Sequence, residues 1–368
     1  MMRRLLVGLL TTVALVTGTV APAGSATAPV NTAPPQIHGK ALLGSTLQVE
    51  PGTWQPDTVA LTYQWTRDNA PIDGATGTTY GLVKADLGAR IGVVETATDE
   101  TGSTGTATAD QVGPVRKPAL NLVEAPSIVG VMRYQRTVTA DLGRVQPAAG
   151  SVRYRWLRDG KAVQGSNPRY PLDVPDVGHR LQLQVTYLRE GYHSLQVSSA
   201  KRLVQQRVPV KKRFTYSVRT KGPVTANLAT FKKLAQGTYD DPRGWRAAGY
   251  QFRRVASGGD FTLVLATASM VPTFSSACSS SWSCRVGRYV IINQTRWQHA
   301  SPAWNRAGES LRDYRHMVVN HETGHWLGHP HASCPGSGPA PVMMQQSKGR
   351  GGCSFNPFPL PSERWTTR

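Results

Sequence analysis

Between about residue 29 and residue 206, apolar positions fall in short alternating runs. Leu181, Leu183 and Val185 form one of them, and Gly, Pro, Asp or Asn closes each run. A period of two sends every second side chain to the same face, so the pattern predicts half-buried strands joined by tight turns. The pattern also repeats along the chain. Tyr63-Gln64-Trp65-Thr66-Arg67-Asp68 returns as Tyr154-Arg155-Trp156-Leu157-Arg158-Asp159, and Ile37 and Gly39 return as Ile128 and Gly130 at the same spacing. Asp86-Leu87-Gly88-Ala89-Arg90 returns as Asp176-Val177-Gly178-His179-Arg180, one residue closer. Two all-strand units follow, residues 29–116 and 117–206, each with a tryptophan in mid-strand. That position makes Trp65 and Trp156 core residues rather than ligand platforms. Neither unit has a cysteine, so aliphatic side chains are expected around each indole.

The pattern changes after residue 206. Residues 207–213 read as a basic linker interrupted by Pro209, with a processing site as the other reading. Beyond it, residues 214–219 alternate as a strand, residues 226–234 have helical spacing, and residues 250–255, 261–266 and 289–293 read as further strands. Ser310, with Asp313 three residues on, predicts a capping box opening a longer helix, on which Leu311, Tyr314, Val318 and Trp326 supply the docking face.

That helix carries the chain's most specific chemistry, His321-Glu322-x-x-His325-x-x-Gly328-x-x-His331. Histidines four apart share a helix face, so both imidazoles can reach one ion, and zinc takes nitrogen ligands at about 2.0–2.1 Å. Glu322 sits beside the first ligand, turned off the metal, and is expected to act as general base and acid on a zinc-bound water. Gly328 can end the helix in a left-handed conformation, and Pro330 prevents its resumption, so the chain returns with His331 as third ligand. His329 is the competing third ligand. A bare H-E-x-x-H also occurs in proteins without metal. With this composition, however, Gly and His at the eighth and eleventh places coincide by chance only roughly once in 400. Asn320 either orients the first ligand or is a plain surface residue.

These residues resemble the metzincin clan of zinc endopeptidases, whose further mark is a methionine-bearing turn beneath the zinc. Pro341-Val342-Met343-Met344 resembles that turn, with Met343 as the floor residue and Met344 as the alternative. The run from Asn320 through Cys334-Pro335, with Ala340 to Gln346, is similar to a family of secreted actinobacterial metzincin-like domains of unassigned function, over residues 211–368. The resemblance implies a zinc metallopeptidase with a polypeptide substrate and one catalytic ion. It leaves the oxyanion role unassigned, because no tyrosine follows the turn. A gluzincin arrangement would need a downstream glutamate, and only Glu363 remains, in a Pro-rich tail. The repeats, for their part, resemble the immunoglobulin-like sandwiches of bacterial surface and secreted proteins. The expected architecture is multidomain, two all-β immunoglobulin-like sandwiches followed by an α+β metzincin-like domain at 214–368.

Composition places this reading outside the cytoplasm. Residues 1–28 have the charged start, short apolar run and small-residue cleavage sites of a signal peptide, with a membrane anchor as the rival. Cys278, Cys284, Cys334 and Cys353 all lie in the last domain and are expected as two disulfides. Three pairings are possible, and the most local joins Cys278 to Cys284 and Cys334 to Cys353. A four-cysteine zinc site lacks the necessary spacing. Net charge is +20, and residues 211–368 hold 21 Lys and Arg against 7 Asp and Glu. No nucleic-acid motif accompanies the charge, so the expected partner is an anionic cell-envelope polymer. The competing functions are an envelope-binding or adhesive protein with structural zinc, and a zinc amidase acting on cell-wall peptides.

Overall fold

The structure is a computed structural model, and it describes residues 27–163 and 166–368. The expected signal peptide falls almost wholly outside the described residues. Two compact units are present. One comprises the described residues up to Leu120 together with Leu188–Ser194, and the other Asn121–Tyr187 with Leu195–Arg368.

In the first unit, Gln36–His38, Thr46–Glu50 and Thr79–Gly81 form one antiparallel sheet, and Ala70–Pro71, Ala60–Arg67, Ile91–Thr98 and Thr104–Thr108 form another. Leu47 and Val49 from the first sheet meet Trp65, Ile91 and Val93 from the second in one core, as alternation predicts. Trp65 is fully buried and donates its indole N–H to the Gly77 carbonyl at 2.8 Å. Its surroundings are not purely aliphatic, since Tyr80 stacks on it with ring centroids 5.7 Å apart. The second repeat reproduces the arrangement. Trp156 is fully buried, donates to Asn167 O at 3.0 Å and lies 5.2 Å from the Tyr170 ring.

The repeated Arg and Asp positions have a structural explanation that their spacing did not disclose. Asp86, fully buried, accepts from Arg67 Nε at 2.7 Å, from the Tyr80 hydroxyl and from Val83 N. Asp176 accepts from Arg158, Tyr170 and the Asp173 amide in the same way. A buried carboxylate is tolerated only when paired and hydrogen-bonded, and each repeat supplies both.

The remainder of the second unit is a five-stranded mixed sheet with helices. Its strand order is Tyr250–Arg254, Lys212–Lys221, Phe261–Ala266, Tyr289–Asn293 and Cys284–Val286. All neighbours are parallel except the edge strand Cys284–Val286, which runs antiparallel. The helices Leu228–Asp240 and Leu311–Leu327 pack with the sheet around an aromatic core of Tyr216, Tyr239, Trp245, Phe252, Phe261 and Trp326. Fully burying side chains of this size stabilises by roughly 1.5–3 kcal/mol each. The segment expected as a linker is tied at both ends. Gln206 donates to Asp240 O at 2.8 Å, Arg207 to Gln135 at 2.5 Å, and Lys211 N to Gly249 O at 2.8 Å.

Ser310 caps the long helix by accepting from Asp313 N at 3.0 Å. The reciprocal half of a capping box is absent, because the Ser310 hydroxyl instead donates to the Asp313 carboxylate at 2.7 Å. Cys278 pairs with Cys284 and Cys334 with Cys353. No described helix is long and apolar enough to cross a membrane.

Candidate metal centre

The helix Leu311–Leu327 is buried along most of its length, and His321, Glu322 and His325 lie in its last two turns. It ends at Gly328, whose φ of 107° is left-handed and whose amide bonds back to Gly324 and His325 carbonyls. The left-handed conformation favours glycine there, and a Cβ would also run into the Thr367 side chain. The returning chain then brings His331 opposite His325, with their Nε2 atoms 3.1 Å apart. One nitrogen from each of His321, His325 and His331 falls within 4.8 Å of the others.

Backbone carbonyls fix the imidazoles. His321 Nδ1 donates to Val342 O at 2.8 Å and His325 Nδ1 to His329 O at 2.8 Å. A carbonyl can only accept, so each Nδ1 carries the proton and each Nε2 presents a lone pair. Burial, then the neighbouring His325, pulls the pKa of His321 down to about 3, against the Val342 carbonyl. Burial takes His325 down to about 4. Burial and Lys348 lower His331. All three rings are therefore neutral at pH 7. Three neutral imidazoles suit zinc, whose tetrahedral geometry puts ligand nitrogens roughly 3.3 Å apart.

Met343 is 1% exposed and packs against the helix Leu311–Leu327 so closely that a Cβ on Gly324 would run into its sulfur. Met344 is half-buried, so Met343 is the more deeply packed of the two. The turn holds both sides of the site. Val342 O takes His321, and Met343 O accepts from Ala332 N, next to His331. Glu363 in turn holds the turn, accepting from Val342 N at 3.0 Å, Met343 N at 2.9 Å and Leu360 N at 2.8 Å. Its carboxylate is thus committed to backbone and is no ligand.

The competing His329 points away. Its Nε2 donates to Trp365 O at 2.8 Å, and its ring lies between Trp245 and Trp365. Asn320 follows neither expectation. It is fully buried, and its amide donates to Pro357 O, tying the C-terminal tail to the helix.

Glu322 is 5% exposed and accepts no hydrogen bond among the described residues. Burial pushes its pKa up to about 8, with Arg285 opposing. It opens on a cleft of about 380 Å³ that it lines together with the three histidines, Arg285 of the edge strand and Lys348. Arg285 has a buried Nε–H without an acceptor. Sequence reasoning missed Arg285, and weighed Glu363 only as a ligand rather than as the support of the turn. Neither has a local signal, because Arg285 enters through strand pairing and Glu363 acts across twenty residues.

A family described as "Protein of unknown function (DUF3152)" matches residues 188–358. The "Highly immunogenic outer capsid protein" of Enterobacteria phage T4 is 27% identical over 150 residues, which is 39% of this chain and 40% of that protein. The chain thus spans about two fifths of that relative's length. Among solved structures, three N-terminal domains of the bacteriophage RB49 Hoc protein align with 52% of this chain and 65% of theirs, at 16% identity and a TM-score of 0.26. Murine CEACAM1b aligns with 46% of this chain and 98% of its own, at 14% identity and a TM-score of 0.19.

Proposed function

We propose that this protein is a secreted zinc-dependent endopeptidase whose metzincin-like site is built from His321, His325, His331 and Glu322. The observation that carries the reading is Glu322. A mostly buried carboxyl group that lines the same cleft as three converging imidazoles, and accepts no hydrogen bond among the described residues, has a desolvation cost and no structural return.

His321, His325 and His331 would hold zinc through Nε2. When bound, zinc supplies Lewis-acid polarisation of a carbonyl and makes water more acidic. A dication beside Glu322 favours its carboxylate, so the raised pKa falls back toward neutrality on metal binding. That leaves Glu322 able to take a proton from water at a carboxylate oxygen and pass it to a leaving amine. The edge strand Cys284–Val286 lines the cleft and has one neighbour in the sheet. Its other edge offers backbone donors and acceptors to an extended polypeptide. The Cys278–Cys284 disulfide anchors that strand.

In this reading the two repeats are immunoglobulin-like spacers, and the fully buried indoles argue for packing rather than binding. The test is metal removal. Chelation should abolish cleavage of an unstructured protein substrate, and one equivalent of zinc should restore it. Cleavage that survives complete loss of metal would overturn the proposal.

A further inference from the structure

We infer that a crevice in the second compact unit, lined by Arg207, Arg243, Arg246 and Arg364, binds a phosphate-bearing anion. The crevice encloses about 440 Å³ and has no Asp or Glu in its lining. It shares no residue with the histidine cleft.

The four guanidinium groups are unequally matched. Arg243 alone has a carboxylate partner, a two-pronged contact with Asp241 at 2.9 and 2.8 Å, and it lies over the Phe358 ring at 4.1 Å. Arg207 bonds a neutral amide, that of Gln135. Arg364 reaches only the Pro359 carbonyl, at 3.4 Å. Its pKa is lowered by burial and by the charge of Arg207, so these two cations oppose each other. Arg246 is 7% exposed, forms no salt bridge among the described residues and keeps an Nη1 group without an acceptor, and the charge of Asp240 opposes the effect of its burial.

Arg246 is buried with the charge of Asp240 partly offsetting that cost, and the exposed Arg207 and Arg364 bring two further cations without carboxylate partners among the described residues to the same crevice, which adds repulsion. An arrangement of this kind is relieved by an anion. Planar forked donors fit tetrahedral oxyanions in two-pronged fashion, and a single carboxylate would leave most of the charge uncompensated. Phosphate, with close to two charges and several acceptor oxygens, matches better. A phosphodiester polymer has the same tetrahedral oxyanion with one charge per group, and supplies further charge through successive groups along its chain.

Calorimetric titration of the full-length protein separates these possibilities. Inorganic phosphate should bind, and Arg207→Gln with Arg364→Gln should weaken it at least fivefold. Both residues are exposed, so folding is preserved. Lys232→Gln with Lys233→Gln removes the same charge outside the crevice and should change affinity less than twofold. An oligomer of glycerol phosphate that binds tighter than phosphate assigns the site to a polymer, and equal affinity assigns it to the free anion. No phosphate binding, or the same loss in both double variants, would overturn the inference.

Discussion

Asp86 and Glu322 are both buried carboxylates, and their surroundings are opposite. Asp86 meets a guanidinium, a phenol and a backbone amide, and Asp176 repeats that set in the second repeat. Glu322 meets none, although the helix around it is packed to near-complete burial. The repeats use a buried acid to fix a fold. The C-terminal region leaves one unmatched in an open cleft beside three imidazole nitrogens. A carboxyl group that reaches a cleft with no protein partner is free to meet a ligand or water there, which the fully bonded Asp86 is not.

The sharpest break in this comparison comes from the ligands. His331→Ala should weaken zinc retention by about 100-fold or more, measured as metal content after dialysis against a mild chelator, whereas His329→Ala should retain metal. The reverse result would mean that the turn at Gly328 directs the wrong ring. On the structural side, Asp86→Ala leaves Arg67 half-buried without its partner. It should cost about 2–3 kcal/mol by denaturant unfolding with zinc content unchanged, less than for a fully buried pair because Arg67 is 31% exposed.

Glu322→Gln should act in the opposite direction in metal-free protein. The folded pKa is raised to about 8, so the folded state holds its proton where the unfolded state has lost it. Wild type therefore loses stability as pH rises from about 4.5 to 8, by up to about 3 kcal/mol at pH 7. The variant should be the more stable protein at pH 7 and should match wild type near pH 4. A pH-independent difference would remove desolvation as the cause. His321 and His325 have lowered pKa values, so their contribution is lost as pH falls from about 6.5 toward 4. Smallest is Glu363→Gln, which weakens three backbone hydrogen bonds under the Met343 turn and should cost about 1–2 kcal/mol. Its zinc affinity should fall only modestly, because Glu363 is not a ligand.

Much of this was legible in the chain because the chemistry imposes local spacing. His321, Glu322 and His325 are fixed by one helical turn, and Gly328 by the handedness of the helix end. The strands Phe261–Ala266 and Tyr289–Asn293 have the bounds expected from the sequence, and the most local cysteine pairing is the one formed. The helix Leu228–Asp240 extends six residues beyond the expected 226–234, because Ala235, Thr238 and Tyr239 are buried by tertiary packing. The edge strand Cys284–Val286 escaped notice at three residues, too short for a period to register. The pairing of Arg67 with Asp86 was visible only as repetition. Recognition of Val342 O by His321 and of the turn amides by Glu363 depends on contacts across some twenty residues, which no spacing rule encodes.

The central claim is that the unmatched carboxyl group of Glu322 moves the proton in peptide hydrolysis. Its most direct test measures zinc content and peptide hydrolysis together in Glu322→Gln. The variant should hold a full equivalent of zinc with hydrolysis lowered by at least about 100-fold. Hydrolysis at the wild-type rate with zinc retained would contradict it.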